Sequence, residues 1–382
     1  MTIDAQRLRG RALVIGGSLV GLITGNLFHR AGWDVQVFER VSGNVEGRGA
    51  GITILPGLVD GFRAAGADVS EKSLGVELPA RIALDRSGRI VAERPFSQVM
   101  TSWKFLHDEL KKVFPNDGYR AGMTLEGIEQ DEHKVTACFA GGQRIEADLL
   151  VAADGLRSTV RAQFLPDMNP DYAGYIAWRC LTNEADLSAP THATLFNRYA
   201  VCVAPGQQGV GYAVPMTDDS GRYHPNGIAP ALLSSRIRQE MIEKASQVLA
   251  PQFAEAVRRA RLHFFQPIVD LELPRLVFGR VIIIGDAAFT ARPHVAMGVP
   301  KGAGDALALV QAIALGGRDH LQALGQFESE RLRIDSAIVA RGRYLGSYMQ
   351  AQLKSEAERS RAETSRVPER VMMETAAPMA FA

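Results

Sequence analysis

Three cysteines in 382 residues, Cys138, Cys180 and Cys202, are too few, too widely spaced and of the wrong parity for a disulfide framework, and they form no CxxC pair. That argues for a reducing compartment and against a cysteine-based metal site. Long hydrophobic runs are missing as well: no stretch of 18 apolar residues reads as a membrane span, and the first apolar run is too short for a secretory signal core. The expected location is cytoplasmic. Neither sign of charge dominates, since 43 Lys and Arg against 42 Asp and Glu leave a formal net charge of +1 and no electrostatic drive toward nucleic acid or anionic membranes. The histidines are scattered without H-E-x-x-H, and no G-x-S-x-G elbow occurs, which removes the zinc and serine hydrolase readings. No internal repeat is visible.

What is present is 46% hydrophobic and 22% charged, ordinary for a globular chain long enough for two domains with sizeable cores. Small molecules are therefore the expected partners. Chemistry concentrates first in Ala12-Leu13-Val14-Ile15-Gly16-Gly17-Ser18-Leu19-Val20-Gly21. Four apolar residues suit a strand buried on both faces; a glycine-rich turn follows; then Leu19, Val20, Ile23, Leu27 and Ala31 recur at helical spacing until Gly32. A second apolar strand, Val35 to Phe38, runs into Glu39 and completes a βαβ unit. Such a unit binds a dinucleotide. Gly16 permits the tight turn, Gly21 lets helix and strand pack closely, the helix N-terminus directs free N–H groups at a pyrophosphate, and Glu39 is placed to accept hydrogen bonds from a ribose. The middle glycine of G-x-G-x-x-G is Ser18 here, small enough to admit phosphate and itself a donor.

More than 250 residues later, Val281-Ile282-Ile283-Ile284-Gly285-Asp286-Ala287-Ala288, followed by Arg292-Pro293-His294 and Gly298, reads as the other half of the site. The two halves together point to bound FAD and to a chain that leaves its cofactor domain and returns. We expect residues 1–72, 97–168 and 276–350 to form that domain, 73–96 and 169–275 a substrate domain, and 351–382 a helix end and tail. Pro56 opens a helix, residues 80–96 form a hairpin, and 103–114 form a helix. Segments at 172–181, 192–204, 209–216 and 261–269 read as one mainly antiparallel sheet, with helices near 231–259 on one side. Helices are expected from about Gly302 to Leu315 and over 319–350. The charges from Glu356 to Arg370 alternate in sign, which reads as a solvated helix or a disordered tail. The final Met379-Ala380-Phe381 reads as a frayed terminus or as a contact to a partner subunit in a homodimer.

Three motifs carry a family resemblance over roughly residues 10–345. They are the Gly16 to Glu39 unit; Asp154-Gly155-Leu156-Arg157-Ser158-Thr159-Val160-Arg161, of the form D-G-x-x-S-x-x-R; and Gly285-Asp286-Ala287-Ala288 with Pro293 and Gly298. In this order the chain resembles the single-component FAD-dependent aromatic hydroxylases of the p-hydroxybenzoate hydroxylase fold, also called group A flavoprotein monooxygenases. Within them, Tyr172-Ala173-Gly174-Tyr175, Trp178-Arg179, and Arg292-Pro293-His294 with Lys301 are similar to the 2,6-dihydroxypyridine 3-hydroxylase type. The resemblance implies an α/β (α+β) fold: a discontinuous Rossmann-like FAD-binding domain plus an antiparallel-sheet substrate domain.

It also implies roles. Gly16, Ser18, Leu19, Gly21, Glu39, Arg40, Arg48 and Gly51 would line the adenosine and pyrophosphate region, and Asp154 would lie near the pyrophosphate with Arg161 fixing its loop. Gly285 and Asp286 would meet the ribityl chain, and Pro293, Gly298 and Val299 the flavin ring. NAD(P)H would dock transiently as co-substrate, and the reduced flavin with O2 would give a hydroperoxide that attacks an electron-rich ring. A family arginine is replaced at Ser102-Trp103-Lys104, where Lys104 would partly substitute. For the small aromatic substrate the candidates are His294, Tyr212 and Arg179, with Tyr175, His192 and His224 behind them. Each has a plainer reading: a satisfied structural histidine, a core tyrosine, an Arg179–Glu184 ion pair, and for Asp154 an Asp-Gly turn capping a helix. Ring hydroxylation of a small hydroxylated aromatic, such as a hydroxypyridine, is the leading activity. Oxygenation of a larger natural product, and an FAD-binding reductase or regulatory protein without oxygenase activity, stay open.

Overall fold

The computed structural model describes residues 10–42, 51–69, 74–202, 233–316, 320–349 and 355–379. Arg48, Tyr212 and His224, and the segment 209–216, lie outside the described residues. In chain order the first elements are β1 (Arg11–Ile15), α1 (Leu19–Arg30), β2 (Asp34–Glu39), β3 (Gly51–Ile54), α2 (Pro56–Ala64), β4 (Val76–Leu84), β5 (Ile90–Ser102) and α3 (Trp103–Lys112). Next come β6 (Tyr119–Ala121), β7 (Leu125–Gln130), β8 (Val135–Phe139), β9 (Arg144–Ala147), β10 (Leu149–Ala152), α4 (Thr159–Phe164), β11 (Asp171–Leu181), α5 (Ala189–Leu195) and β12 (Tyr199–Cys202). The rest are α6 (Ser235–Val248), α7 (Pro251–Arg259), β13 (Leu262–Glu272), β14 (Val277–Phe278), β15 (Val281–Ile283), β16 (Phe289–Thr290), α8 (Gly298–Gly316), α9 (His320–Met349), α10 (Glu356–Ser365) and α11 (Pro368–Glu374).

A six-stranded sheet in the order β14-β15-β10-β1-β2-β6 organises the cofactor half. β1 pairs in parallel with β10 on one side and β2 on the other, and β15 pairs in parallel with β10. All three central strands are apolar because helices cover both faces of a parallel sheet: Leu13, Val14, Leu150, Val151, Ile282 and Ile283 are fully buried. Each contributes about 1.5–3 kcal/mol of transfer free energy. Helix α1 packs on α8 and α3, and α8 also on α2 and α9, so the chain's return at β15 is locked by the helix that follows it.

The strands outside this six-stranded sheet differ from the expected single antiparallel sheet. Among the described residues they include a four-stranded sheet, β12-β4-β5-β3, and a three-stranded one, β11-β13-β16, each of which borrows an edge strand from the cofactor half. The β12–β4 pair is parallel rather than antiparallel. Residues 192–195, expected to open the strand segment 192–204, belong instead to helix α5; Pro190 at its start and Ser188 before it are start signals that outweighed the β-branched Thr191 and Thr194. Helix α8 begins at Gly298, four residues before the expected start.

Over its described residues, 355–379, the C-terminal segment is helical and packed rather than merely solvated; Ala380 and Phe381 lie outside the described residues. Ser355 and Glu358 form a capping box that starts α10, and α11 packs on β4 and β5. Arg81 on β4 is 1% exposed and inserts beneath the segment, bonding the carbonyls of Met372, Thr375 and Ala376 and Gln98 Oε1, with Phe96 4.0 Å beneath its guanidinium. Those carbonyls end a helix, where a cation is favourable. Met379 packs against a cluster that includes Val295 and Met297, within this chain.

Candidate active site

At the C-terminal edge of the six-stranded sheet a cleft is lined by Gly16, Ser18, Glu39, Arg40, Asp154, Gly155, Arg157 and Thr159. The glycines are there for space. At Gly16, φ is +107° and an added Cβ would sit 2.2 Å from the Ala153 carbonyl oxygen; at Gly21 it would sit 1.8 Å from the Gly16 carbonyl oxygen. The turn and the first helical turn therefore touch backbone to backbone, which brings the α1 N-terminus up to the cleft floor. Ser18 is the N-cap of α1 but makes no capping hydrogen bond with its side chain, which is exposed to the cleft. Glu39 Oε2 accepts from Gly17 N at 3.0 Å and Oε1 from Val41 N at 3.0 Å, which fixes the carboxylate.

Asp154 combines both readings of its motif. Oδ2 accepts from Thr159 N and Val160 N at the start of α4, while Oδ1 is buried with no hydrogen-bond partner. Burial raises this carboxyl. An orphaned acceptor in a cleft whose other walls offer helix N–H groups and arginines fits a ligand carrying both hydroxyls and phosphates, as FAD does. Arg161 is 5% exposed and spends its guanidinium on the carbonyls of Leu156, Met168 and Ala287, tying the Asp154 loop to the Gly285–Ala287 turn. Lys104 pairs with Asp108 at 2.7 Å.

After β15 the chain makes a 3-10 turn, Gly285–Ala287, which presents Asp286. Its side chain is exposed yet set deep in the protein, and desolvation pushes the carboxyl up, opposed by the Lys301 ammonium. A second 3-10 turn, Pro293–Val295, and Ala296 in the left-handed region lead into α8. At Gly298 an added Cβ would meet nothing within 4 Å, so the N-terminus of α8 opens on empty space.

Here His294 Nε2 lies 2.7 Å from Tyr175 Oη, their rings stacked at 5.9 Å. Burial, then the charges of Arg292 and Arg179, depress the imidazole to about 4, and burial pushes the Tyr175 phenol up to about 12. Both groups are neutral near pH 7. The Arg292 guanidinium lies 5.7 Å from the centre of the Tyr175 ring, and its charge opposes the rise of the phenol. Arg292 is itself neutralised by a bidentate bond to buried Asp270, with Arg343 behind it. Among the described residues Arg179 has no carboxylate partner: one long bond reaches Gln266 Oε1 at 3.3 Å, and its Nε is buried without a partner there. The expected alternative, Glu184, pairs instead with His192 at 2.6 Å. Tyr199 joins the group through its electrostatic contacts with Arg81 and Arg179, and was not anticipated. Ala376 N donates to His294 O at 2.9 Å, so the C-terminal segment closes the back of this loop.

Residues 9–342 match the family described as FAD binding domain. The chain belongs to the FAD-binding-domain family. The 2,6-dihydroxypyridine 3-monooxygenase of Paenarthrobacter nicotinovorans is 27% identical over 370 residues, covering 89% of this chain and 91% of that protein. The aurachin C monooxygenase/isomerase of Stigmatella aurantiaca is 28% identical over 361 residues, covering 89% and 88%. The solved 2,6-dihydroxypyridine-3-hydroxylase from Arthrobacter nicotinovorans superposes with a TM-score of 0.81 at 27% identity, covering 91% of this chain and 94% of that one. This FAD-binding-domain protein is thus an enzyme of the flavin monooxygenase type, with the fold that the three motifs imply and FAD as its cofactor. Among the described residues no group of three or more His, Cys, Asp or Glu could hold a metal, and no helix is long and apolar enough to cross a membrane.

The fold brings most of the singled-out residues into two places. Gly16, Ser18, Glu39, Arg40 and Asp154 meet in the cleft, with Leu19 and Gly21 in the first turn of α1 behind it; Asp286, Pro293, His294, Gly298 and Val299 follow one another along the β15–α8 connection. Gly51 opens β3, opposite Ser102. His192 lies apart, stacked on Phe196.

Proposed function

We propose that the enzyme hydroxylates a small hydroxylated aromatic ring, with hydroxypyridines as the first class to test, at the expense of NAD(P)H and O2. One observation carries this reading: a neutral His294–Tyr175 pair, with Arg179, which pairs with no carboxylate among the described residues, beside it, stands where the connection from Asp286 meets the N-terminus of α8. The kinship with a 2,6-dihydroxypyridine 3-monooxygenase supports it. When bound, FAD supplies the two-electron chemistry and the activation of oxygen.

The residues of this chain do the rest. Gly16, Ser18, Leu19, Gly21, Glu39, Arg40 and Asp154 bind the adenosine and pyrophosphate portion, with Arg161 bracing the Asp154 loop; Gly285 and Asp286 receive the ribityl hydroxyls. Pro293, Gly298 and Val299 border the ring, where the positive end of the 19-residue helix α8 favours negative charge. The two arginine charges that depress His294 also favour an ionised ring hydroxyl, the form in which the ring is richest in electrons. Arg179 pairs with that oxygen or with a ring carboxylate. The hydroxyl proton passes to the Tyr175–His294 pair, whose imidazole is the neutral member able to accept it. Residues 1–72, 97–168 and 276–350 serve as the cofactor domain in this reading, and 73–96 with 169–275 wall the substrate.

The test is a screen of hydroxylated pyridines and benzoates against the purified yellow protein. Substrate-stimulated NADH or NADPH oxidation, with a product heavier by one oxygen, is expected, and His294→Ala should lose it while keeping its flavin. Flavin without any stimulated oxidation would move the assignment to a non-oxygenating flavoprotein.

A further inference from the structure

The densest buried charge among the described residues lies behind the cofactor turn rather than in the substrate site. Lys301 and Asp305, one turn apart on α8, are each 1% exposed, and Arg331 and Asp335 on α9 are 6% and 0%. Arg331 Nε donates to Asp305 Oδ1 at 2.7 Å, and its other nitrogen donates to Asp335 Oδ1 at 2.7 Å. The first bond joins the two helices; the second lies within α9 and holds the Arg331 side chain in place. Lys301 does something else: its Nζ donates to Gly285 O at 3.0 Å and lies 3.4 Å from Asp305 Oδ2, which accepts from Gly285 N at 3.0 Å. Both backbone polar groups of Gly285 are thus held by side chains of a single helical turn. Gly285 has φ +63°, which glycine adopts readily but does not by itself select over other conformations, and the two side-chain bonds hold it there.

A fully buried lysine is costly, and a methionine of similar length would fill the space without that cost. Burial alone would lower this ammonium, but Asp305, Asp335 and Asp286 outweigh it and raise it. The charged groups facing Lys301 are Asp305 from its own helix, Asp286 from the turn, and Arg331 and Asp335 from α9. Of these, only Asp286 is exposed toward the cofactor side.

We propose that Lys301 is a positioning residue for FAD binding: with Asp305 it clamps Gly285 so that the next residue, Asp286, is presented to the hydroxyls of the cofactor's polyol chain. The proposal rests on the assignment of Asp286 to that chain. Lys301 needs no contact with the cofactor itself.

The experiment titrates FAD into protein stripped of its flavin and follows quenching of flavin fluorescence, for wild type, Lys301→Met, Lys301→Gln, Asp286→Asn and the Lys301→Met/Asp286→Asn double variant. Circular dichroism and thermal unfolding of each stripped protein identify the folded variants. Lys301→Met is expected to weaken FAD binding by roughly 10- to 100-fold, and Lys301→Gln, which keeps a donor for the Gly285 carbonyl, by less. Because Lys301 acts through Asp286, the double variant should bind about as weakly as the weaker single, short of the product of the two losses. A folded Lys301 variant that binds FAD like wild type, or losses that multiply, would overturn the proposal. If Lys301→Met does not fold, Lys301→Gln and its double with Asp286→Asn decide by the same criterion. Unchanged binding in Asp286→Asn alone would instead overturn the Asp286 assignment, and the clamp's proposed role with it.

Discussion

Replacing His294 by Gln should change how stability depends on pH, by an amount that the burial of the imidazole sets. In the folded protein this group is held at about 4, against the ordinary histidine value of 6.5. Above pH 6.5 the imidazole is neutral in both folded and unfolded chains and titration adds no difference. Between pH 6.5 and 4 the unfolded chain takes up a proton that the folded site refuses, so stability falls as pH falls through that window. The displacement is about 2.5 units, worth roughly 3 kcal/mol at 1.36 kcal/mol per unit, with some of it screened because the ring is only partly buried. Denaturant unfolding of the holoenzyme at intervals from pH 7.5 to 4 gives the total slope. Glutamine cannot take up the proton, so the difference between wild type and variant isolates His294 from the carboxylates that titrate nearby. Wild type should lose about 2–3 kcal/mol more than the variant across the window. Parallel curves would refute both the depressed value and the claim that the site holds a neutral imidazole at pH 7.

Gly21→Ala should yield colourless protein, since the added methyl would lie 1.8 Å from the Gly16 carbonyl and force the α1 N-terminus off the cleft; absorbance near 450 nm per mole of chain measures it. Asp154→Ala removes both a helix cap and the orphaned cleft acceptor, and FAD affinity should fall by about 1–3 kcal/mol, read by fluorescence titration. Arg81→Met leaves three carbonyls without their donor, costing on the order of 3 kcal/mol, and hydrogen exchange should rise first in residues 368–379. Arg179→Met should raise KM for a hydroxylated or carboxylated ring by roughly 10- to 100-fold with flavin content intact, the cost of a lost charge-assisted bond.

The cofactor half was legible because its signals are local. Residues 12–39 contain strand, turn, helix, strand and acid in unbroken order, and the Gly-Asp turn directly follows four buried apolar residues. The proposed substrate site was legible only as a list. Tyr175 and His294 are 119 residues apart, and Asp270, which neutralises Arg292, carries no motif; their meeting depends on the β11–β13 register and on α9. Arg179 was read against Glu184 because of their nearness in sequence, but β11 carries it toward Gln266 on β13. The C-terminal segment misled for a physical reason: α10 is polar around most of its surface, and the contacts that hold the segment, a buried arginine nearly 300 residues upstream among them, are all distant in sequence or carry no motif.

The order of strands in the central sheet also bears on how the protein is made. β1 has no neighbour on one side until β10 emerges, and β10 none on its far side until β15, so the cleft stays unwalled through most of synthesis. A nascent chain shows the ribosome exit an apolar β1 and an empty phosphate turn long before FAD has a complete seat. FAD accordingly finds its complete seat only after β15 and α8 have emerged, late in the chain.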